Sequence, residues 1–157
     1  IAIHSVERYR NFPYEVKIGS IVSVTATAAG RCFLAHLPPD RWEELVENER
    51  KEQGALVPND TELKADLEAI RRSGLATRTS LLVKSAEAAP MQIKVLAAPV
   101  FGADRRMQAA LAIISQDQAF KIDIAGSQAK AILAAAQRIS KQLGYQVSDK
   151  RAVTPAE

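Results

Sequence analysis

The sequence predicts an α+β fold built on an antiparallel sheet, and three observations carry that expectation. Strand-like and helix-like segments are segregated along the chain, as strands, three helices, three strands and a closing helix, rather than alternating one for one. The last two strand-like stretches are joined by Gly102-Ala103-Asp104-Arg105-Arg106, a hairpin-length link. The chain of 157 residues is 47% hydrophobic and 25% charged, which is one domain's worth of material and enough to bury a core.

Taken in order, Ile1–Arg8 is rich in Ile and Val and reads as a strand that begins abruptly. A chain opening inside a strand is expected to be a fragment with something N-terminal to it. Asn11-Phe12-Pro13 makes a turn, and Tyr14–Ser23 reads as a second extended stretch interrupted by Gly19. Thr25–Leu37 changes to a helix, with Thr25 and Thr27 both able to cap it, and Pro38-Pro39 stops it. The next helix, Asp40–Gln53, places Trp42, Leu45 and Val46 on one side and ends at Gly54. Asn59 with Glu62 three residues on resembles a capping box, Leu63, Leu67 and Ile70 follow at helical spacing, and Ser73-Gly74 is a stop.

After Gly74 the period changes to that of strands: Leu75–Lys84, Gln92–Phe101 and Met107–Ser115, with Ser85–Pro90 a loop. Asp123–Leu143 is a long amphipathic helix with Ile132, Ala136, Ile139 and Leu143 on one face, closed by Gly144. The expected domain spans residues 1–147, and 148–157, without apolar pattern, is a frayed tail.

Several function classes are disfavoured. No run approaches the roughly 18 apolar residues of a membrane span, and no signal-peptide pattern follows Ile1. Lys and Arg total 21 against 18 acids, and the basic pairs Arg71-Arg72, Arg105-Arg106 and Lys150-Arg151 are dispersed, unlike the dense basic face of a DNA-binding module. Aromatics are only 5%, too few for a stacking platform on single-stranded nucleic acid. Cys32 is the lone cysteine, so no internal disulfide is possible and a reducing compartment, the cytoplasm, is expected.

Cys32 and His36 stand i, i+4 on a helix, but two ligands are too few for a structural zinc site, so no metal is expected. The phosphate loop, the dinucleotide fingerprint and the Gly-x-Ser-x-Gly elbow are all missing. No catalytic residues and no cofactor are therefore expected. One feature is compatible with binding. Thr27-Ala28-Ala29-Gly30 opens a helix with small side chains, where free first-turn amides could hold a carboxylate or phosphate. The same residues would equally permit close packing of the helix on a sheet.

Four segments resemble one family, the IclR-type transcriptional regulators. GSIVSVTATAAGRCFLAHLPPD is similar to its G-x-x-x-P-L-h-x-T-A-x-G-r-a-x-L-A-x-L-p segment, with Ser23-Val24 departing at P-L. LEAIRRSGLATR is similar to L-x-x-I-R-x-x-G-[YL]-A, and VLAAPVFGADRRMQAALAII to x-I-A-A-P-V-F-d-x-x-g-x-v-x-A-A-L-s-I. AAAQRISKQLGY is similar to A-x-x-I-S-x-x-L-G. Each is weak alone, but they occur in order over about residues 1–145.

The resemblance implies the C-terminal effector-binding domain of such a regulator. Its fold would be GAF-like, a curved antiparallel sheet flanked by helices, with a small organic acid held between sheet and loops. It also implies dimers or tetramers, and DNA contacts made only through a winged helix-turn-helix that would precede Ile1. Carried across, the anion-binding amides fall on Ala28 and Ala29, flanked by Thr27, with Val22 as an apolar wall. Ile93 and Val95 fall on one pocket strand and Ala112 and Ile114 on the facing one, while Arg78 loosely takes the place of an acidic pocket residue. These apolar residues lead to the expectation of an acid with an apolar or aromatic body. An enzyme using the same pocket, or a pure oligomerisation module, are the alternative readings.

Overall fold

A computed structural model describes residues 1–4, 18–54, 57–82 and 90–146. Its elements run α1 (Ala28–Ala35), α2 (Pro39–Gln53), α3 (Asp60–Ser73), β1 (Ala76–Leu82), β2 (Met91–Phe101), β3 (Met107–Ser115) and α4 (Ser127–Gln142). The three strands form one antiparallel sheet in the order β1-β2-β3. This is the expected α+β architecture.

Local chemistry explains most boundaries. Of the two threonines, Thr27 caps α1: its hydroxyl accepts from the Gly30 amide. Asn59 caps α3 by accepting from the Glu62 amide, and Gly74 ends it in the left-handed conformation at φ 69°. The 102–106 link closes on itself, Gly102 donating to the Arg106 carbonyl and Arg105 to that of Gly102.

Because side chains alternate across a strand, the sheet has two distinct faces. Leu96, Ala98 and Val100 of β2 pack with Ala109, Leu111 and Ile113 of β3 against Ala129, Ile132 and Ala136 of α4. Ala97 and Ala76, with Val95, Phe101 and Ala110, turn the other way, onto a core shared with Ala28, Cys32 and Ala35 of α1. That second core continues through Trp42 and Val46 of α2 and Leu63, Leu67 and Ile70 of α3.

Four expectations are corrected. The described residues 1–4 and 18–23 form no strand: Gly19 turns the chain at φ 89°, and the two segments meet only through Ala2 and its hydrogen bonds to Gly19 and Ser20. The remainder of Ile1–Arg8 and Tyr14–Ser23, the turn at 11–13, the loop at 85–89 and the tail 148–157 lie outside the described residues. Leu45 is exposed, because the buried ridge of α2 is Trp42, Val46 and Glu49. Helix α4 starts at Ser127 rather than Asp123, since Asp123 folds a turn, its side chain accepting from Ala125 and its carbonyl from Gly126. On α4 the buried ridge is Ala129, Ile132, Ala136 and Ser140, leaving Ile139 and Leu143 exposed. Ser140 faces inward because its hydroxyl accepts from the Phe101 amide beside the Val100/Phe101 bulge, where the ladder has no partner for it.

Candidate functional site

The candidate site begins at the turn entering α1. Thr27 donates its hydroxyl to the Ser23 carbonyl at 2.7 Å and accepts from Gly30 at 2.9 Å, so the cap is closed on both sides. Gly30 is obligatory in size: an added Cβ would lie 2.4 Å from the Ser23 carbonyl oxygen and 2.5 Å from the Val24 Cα, both backbone atoms. The turn thus crosses directly over the helix. Among the described residues no acceptor meets the amides of Ala28 and Ala29, the first two of the helix.

A buried carboxylate holds the turn from the side. Glu49 of α2, 8% exposed, accepts from the amides of Val24 (3.1 Å) and Thr25 (2.9 Å). Burial alone would raise its pKa, but hydrogen bonds from the Ser23 and Thr25 side chains and from the Thr25 and Val24 amides outweigh it and hold the carboxyl below the ordinary range. Arg31, 7% exposed, donates to the Thr25 carbonyl and pairs with Asp66 of α3 at 2.6 Å. The Arg71 guanidinium of α3 donates to the Ala35 carbonyl at the far end of α1.

The sheet supplies the rest. Arg78, Val95 and Ile114 are directly paired across β1, β2 and β3, forming one rung. The neighbouring rung is Ala76, Ala97 and Ala112, and on the other side Ser80 pairs with Ile93. All of these lie on the face that carries α1, because they share strand parity with Ala76 and Ala97 in the α1 core. Arg78 reaches the turn itself, its Nε donating to the Ala26 carbonyl at 3.3 Å. Burial first, and the neighbouring charge of Arg31 second, pull its pKa below the usual value, with Asp66 opposing. No carboxylate of the described residues pairs with Arg78. Two guanidiniums, Arg31 and Arg78, and two carboxylates, Glu49 and Asp66, therefore surround the turn at the positive end of α1. Glu49 is taken up by backbone amides and Asp66 by Arg31, which leaves Arg78 as the charge open to an anion among the described residues.

Five sheet residues singled out from the sequence, Arg78, Ile93, Val95, Ala112 and Ile114, thus share one face, and Thr27, Ala28 and Ala29 lie at the helix end linked to it through Arg78 and Ala26. Ile93 is buried, Val95 and Ile114 are half-buried and Ala112 is exposed. Val22 is half-buried on the irregular segment before the turn, outside any strand. Surface grooves elsewhere run between α2 and α3 around Trp42, Arg50 and Asp60, where Arg50 is already paired with Glu47 and Asp60. They contain none of these residues, and a charge already neutralised there has little to offer a ligand.

Sequence reasoning missed Glu49, Arg31 and Asp66. A signal for Glu49 existed: it falls seven residues after Trp42 and three after Val46, on the apolar stripe, where an acid needs a partner. No comparable signal marked the Arg31–Asp66 pair, which joins two helices.

Cys32 and His36 do not act together. The Cys32 thiol is fully buried and its pKa is pushed up to about 12 by desolvation, so a thiolate nucleophile is not available near neutral pH. The His36 Nδ1 lies 2.8 Å from the Cys32 carbonyl oxygen, and its ring meets Phe101 edge-on, with Tyr145 stacked behind. Among the described residues no cluster of three or more His, Cys, Asp or Glu could hold a metal, and no helix is long and apolar enough to cross a membrane.

An α+β domain with these traits has counterparts among bacterial transcriptional regulators. The model of the family described as bacterial transcriptional regulator IclR C-terminal matches residues 1–141, and the chain belongs to that family. The Thermotoga maritima IclR structure is similar at TM-score 0.70 and 25% identity, covering 89% of this chain and 55% of that one. Pseudomonas aeruginosa HmgR is similar at TM-score 0.68 and 27% identity, covering 85% and 50%. The C-terminal domain of Escherichia coli KdgR shares the fold at TM-score 0.57 and 22% identity, covering 78% and 71%. The chain spans about half the length of the first two regulators. No curated protein matches it.

Proposed function

We propose that this chain is the effector-binding and oligomerisation domain of a cytoplasmic IclR-type regulator and that it senses a small organic acid without turning it over. The observation that carries the reading is the placement of Arg78, without a carboxylate partner among the described residues, on the rung with Val95 and Ile114 and against the turn at Ala26. The ligand carboxylate sits on the amides of Ala28 and Ala29 beside Arg78, and Thr27 and Val22 border it. The body lies over Ile93, Val95, Ala112 and Ile114, which offer no hydrogen bonds. A two- or three-carbon oxoacid would leave its other oxygens unpaired at roughly 1–3 kcal/mol each, so the body is apolar or aromatic.

The mechanism is linkage. The acid binds one arrangement of a dimer or tetramer more tightly and shifts the population of arrangements, which changes the DNA affinity of a DNA-reading domain outside this chain. Sedimentation at micromolar concentration then shows more than monomer, and a strict monomer counts against the assembly.

A thermal-shift screen of aromatic and aliphatic acids tests the pocket. A ligand at a hundredfold excess over its Kd adds about 2.7 kcal/mol, a rise of several degrees at roughly 2–4 °C per kcal/mol. Ala112→Phe fills the exposed end of the face and removes the shift while the fold persists. The placement is wrong if only glyoxylate- or pyruvate-sized acids stabilise the domain, or if the Phe variant responds like the parent.

A further inference from the structure

The groups of the proposed acid site that are not on the sheet all hang from the turn at 23–27, which has no ladder of its own. Its geometry must come from contacts with other elements. Gly30 lets it cross α1 at backbone distance, and Arg31 ties its Thr25 carbonyl to Asp66. Glu49 does more: its two carboxylate oxygens take two successive amides, Oε1 from Val24 and Oε2 from Thr25. A two-point contact fixes orientation as well as position. The carboxylate comes from a helix 24 residues away in sequence, so nothing local can replace it.

We infer that Glu49 is a positioning residue for the acid site: reaching from α2, it sets the turn so that the first-turn amides of α1 and the Arg78 guanidinium face one ligand carboxylate. The inference rests on the acid-binding reading above. It differs from a merely structural role, in which Glu49 would hold α2 on the core and leave the turn's geometry to Gly30 and Arg31. Glutamine is the informative replacement. It keeps the length and one acceptor, but its amide group would turn N–H toward the N–H of Val24 or Thr25.

The test compares the parent chain, Glu49→Gln and Arg50→Gln. Arg50 sits next to Glu49 on α2 and, among the described residues, pairs with the exposed acids Glu47 and Asp60, so its replacement perturbs the helix without touching the turn. Amide exchange is followed residue by residue by NMR, and benzoate is titrated into each protein. In Glu49→Gln, exchange at Val24 and Thr25 rises about tenfold or more relative to α3 and β2, the Ala28 and Ala29 resonances move, and benzoate affinity falls about tenfold. Arg50→Gln matches the parent in all three. The inference is overturned if Glu49→Gln leaves turn exchange unchanged, if exchange rises uniformly across the domain, or if the turn loosens while benzoate binds as in the parent. A parent that binds no benzoate while binding no other acid in the screen brings down the acid-binding reading instead, and this inference with it.

Discussion

On the α4 side of the sheet, Leu96, Ala98 and Val100 are at most 2% exposed, under a helix that presents Ala129, Ile132 and Ala136. On the α1 side, Ala97 and Pro99 of β2 are buried as well, but the sheet opens beside them, half-buried at Val95 and Ile114 and exposed at Ala112. Helix length accounts for the contrast. Helix α4 has 16 residues and α1 has 8, so at about 1.5 Å per residue they run roughly 24 and 12 Å, against a β2 of 11 residues at about 3.3 Å each. The long helix covers β2 on its face and leaves Leu111 and Ile113 of β3 half-buried. The short one is spent on Ala76 and Ala97, and its N-terminus stops where Arg78 begins. Among the described residues, both faces carry a core, and the difference lies at the β3 edge, where the α1 face is fully open at Ala112 and the α4 face is half-buried at Leu111 and Ile113.

Substitutions that treat the two faces alike should separate them. Leu96→Ala, beneath α4, is expected to cost about 2–5 kcal/mol in urea unfolding and to leave acid binding per folded molecule unchanged. Ile114→Ala, on the open face, is expected to cost only about 1 kcal/mol, since its side chain is already partly in water, and to weaken binding of the acid's apolar body. Equal stability losses would show that the α1 face is as closed as the α4 face.

The smallest expected effect is a pH slope carried by the turn. Glu49 is held below the ordinary carboxyl value of 4.5, so its contribution is fully present above that value and is lost as pH falls through the lower folded value. Melting temperature should therefore decline on acidification below about pH 4.5, and Glu49→Gln, which cannot titrate, should decline less steeply. Parallel slopes for the two proteins would exclude Glu49 as a source of acid sensitivity.

Much of the framework was legible beforehand for local reasons. Caps and stops act within a few residues, so Thr27, Asn59 and Gly74 marked helix ends that the chain uses. The change of period and a short hairpin link likewise placed β3 at Met107–Ser115, while the facing of Val95 and Ile114 was only what the family resemblance implied. The partners of charged groups were not legible, because they come from elsewhere in the chain. Glu49 meets amides 24 and 25 residues away, Arg31 meets Asp66, and Arg78 meets a carbonyl 52 residues back.

By itself the sequence determined the types and order of the elements from α1 to α4, though not the two strands expected before them, because propensity, capping and periodicity are properties of neighbouring residues. Only the tertiary structure decided which ridge of each helix went inside. On α4 Ile132 and Ala136 went inside as their spacing predicted, but Ala129 and Ser140 joined them in place of Ile139 and Leu143, and on α2 Glu49 won over Leu45. The reason is the same in both. A side chain's place is settled by the shape and the unpaired amides of the surface it meets, Phe101 for Ser140 and Val24 and Thr25 for Glu49, and these are brought near only by the fold.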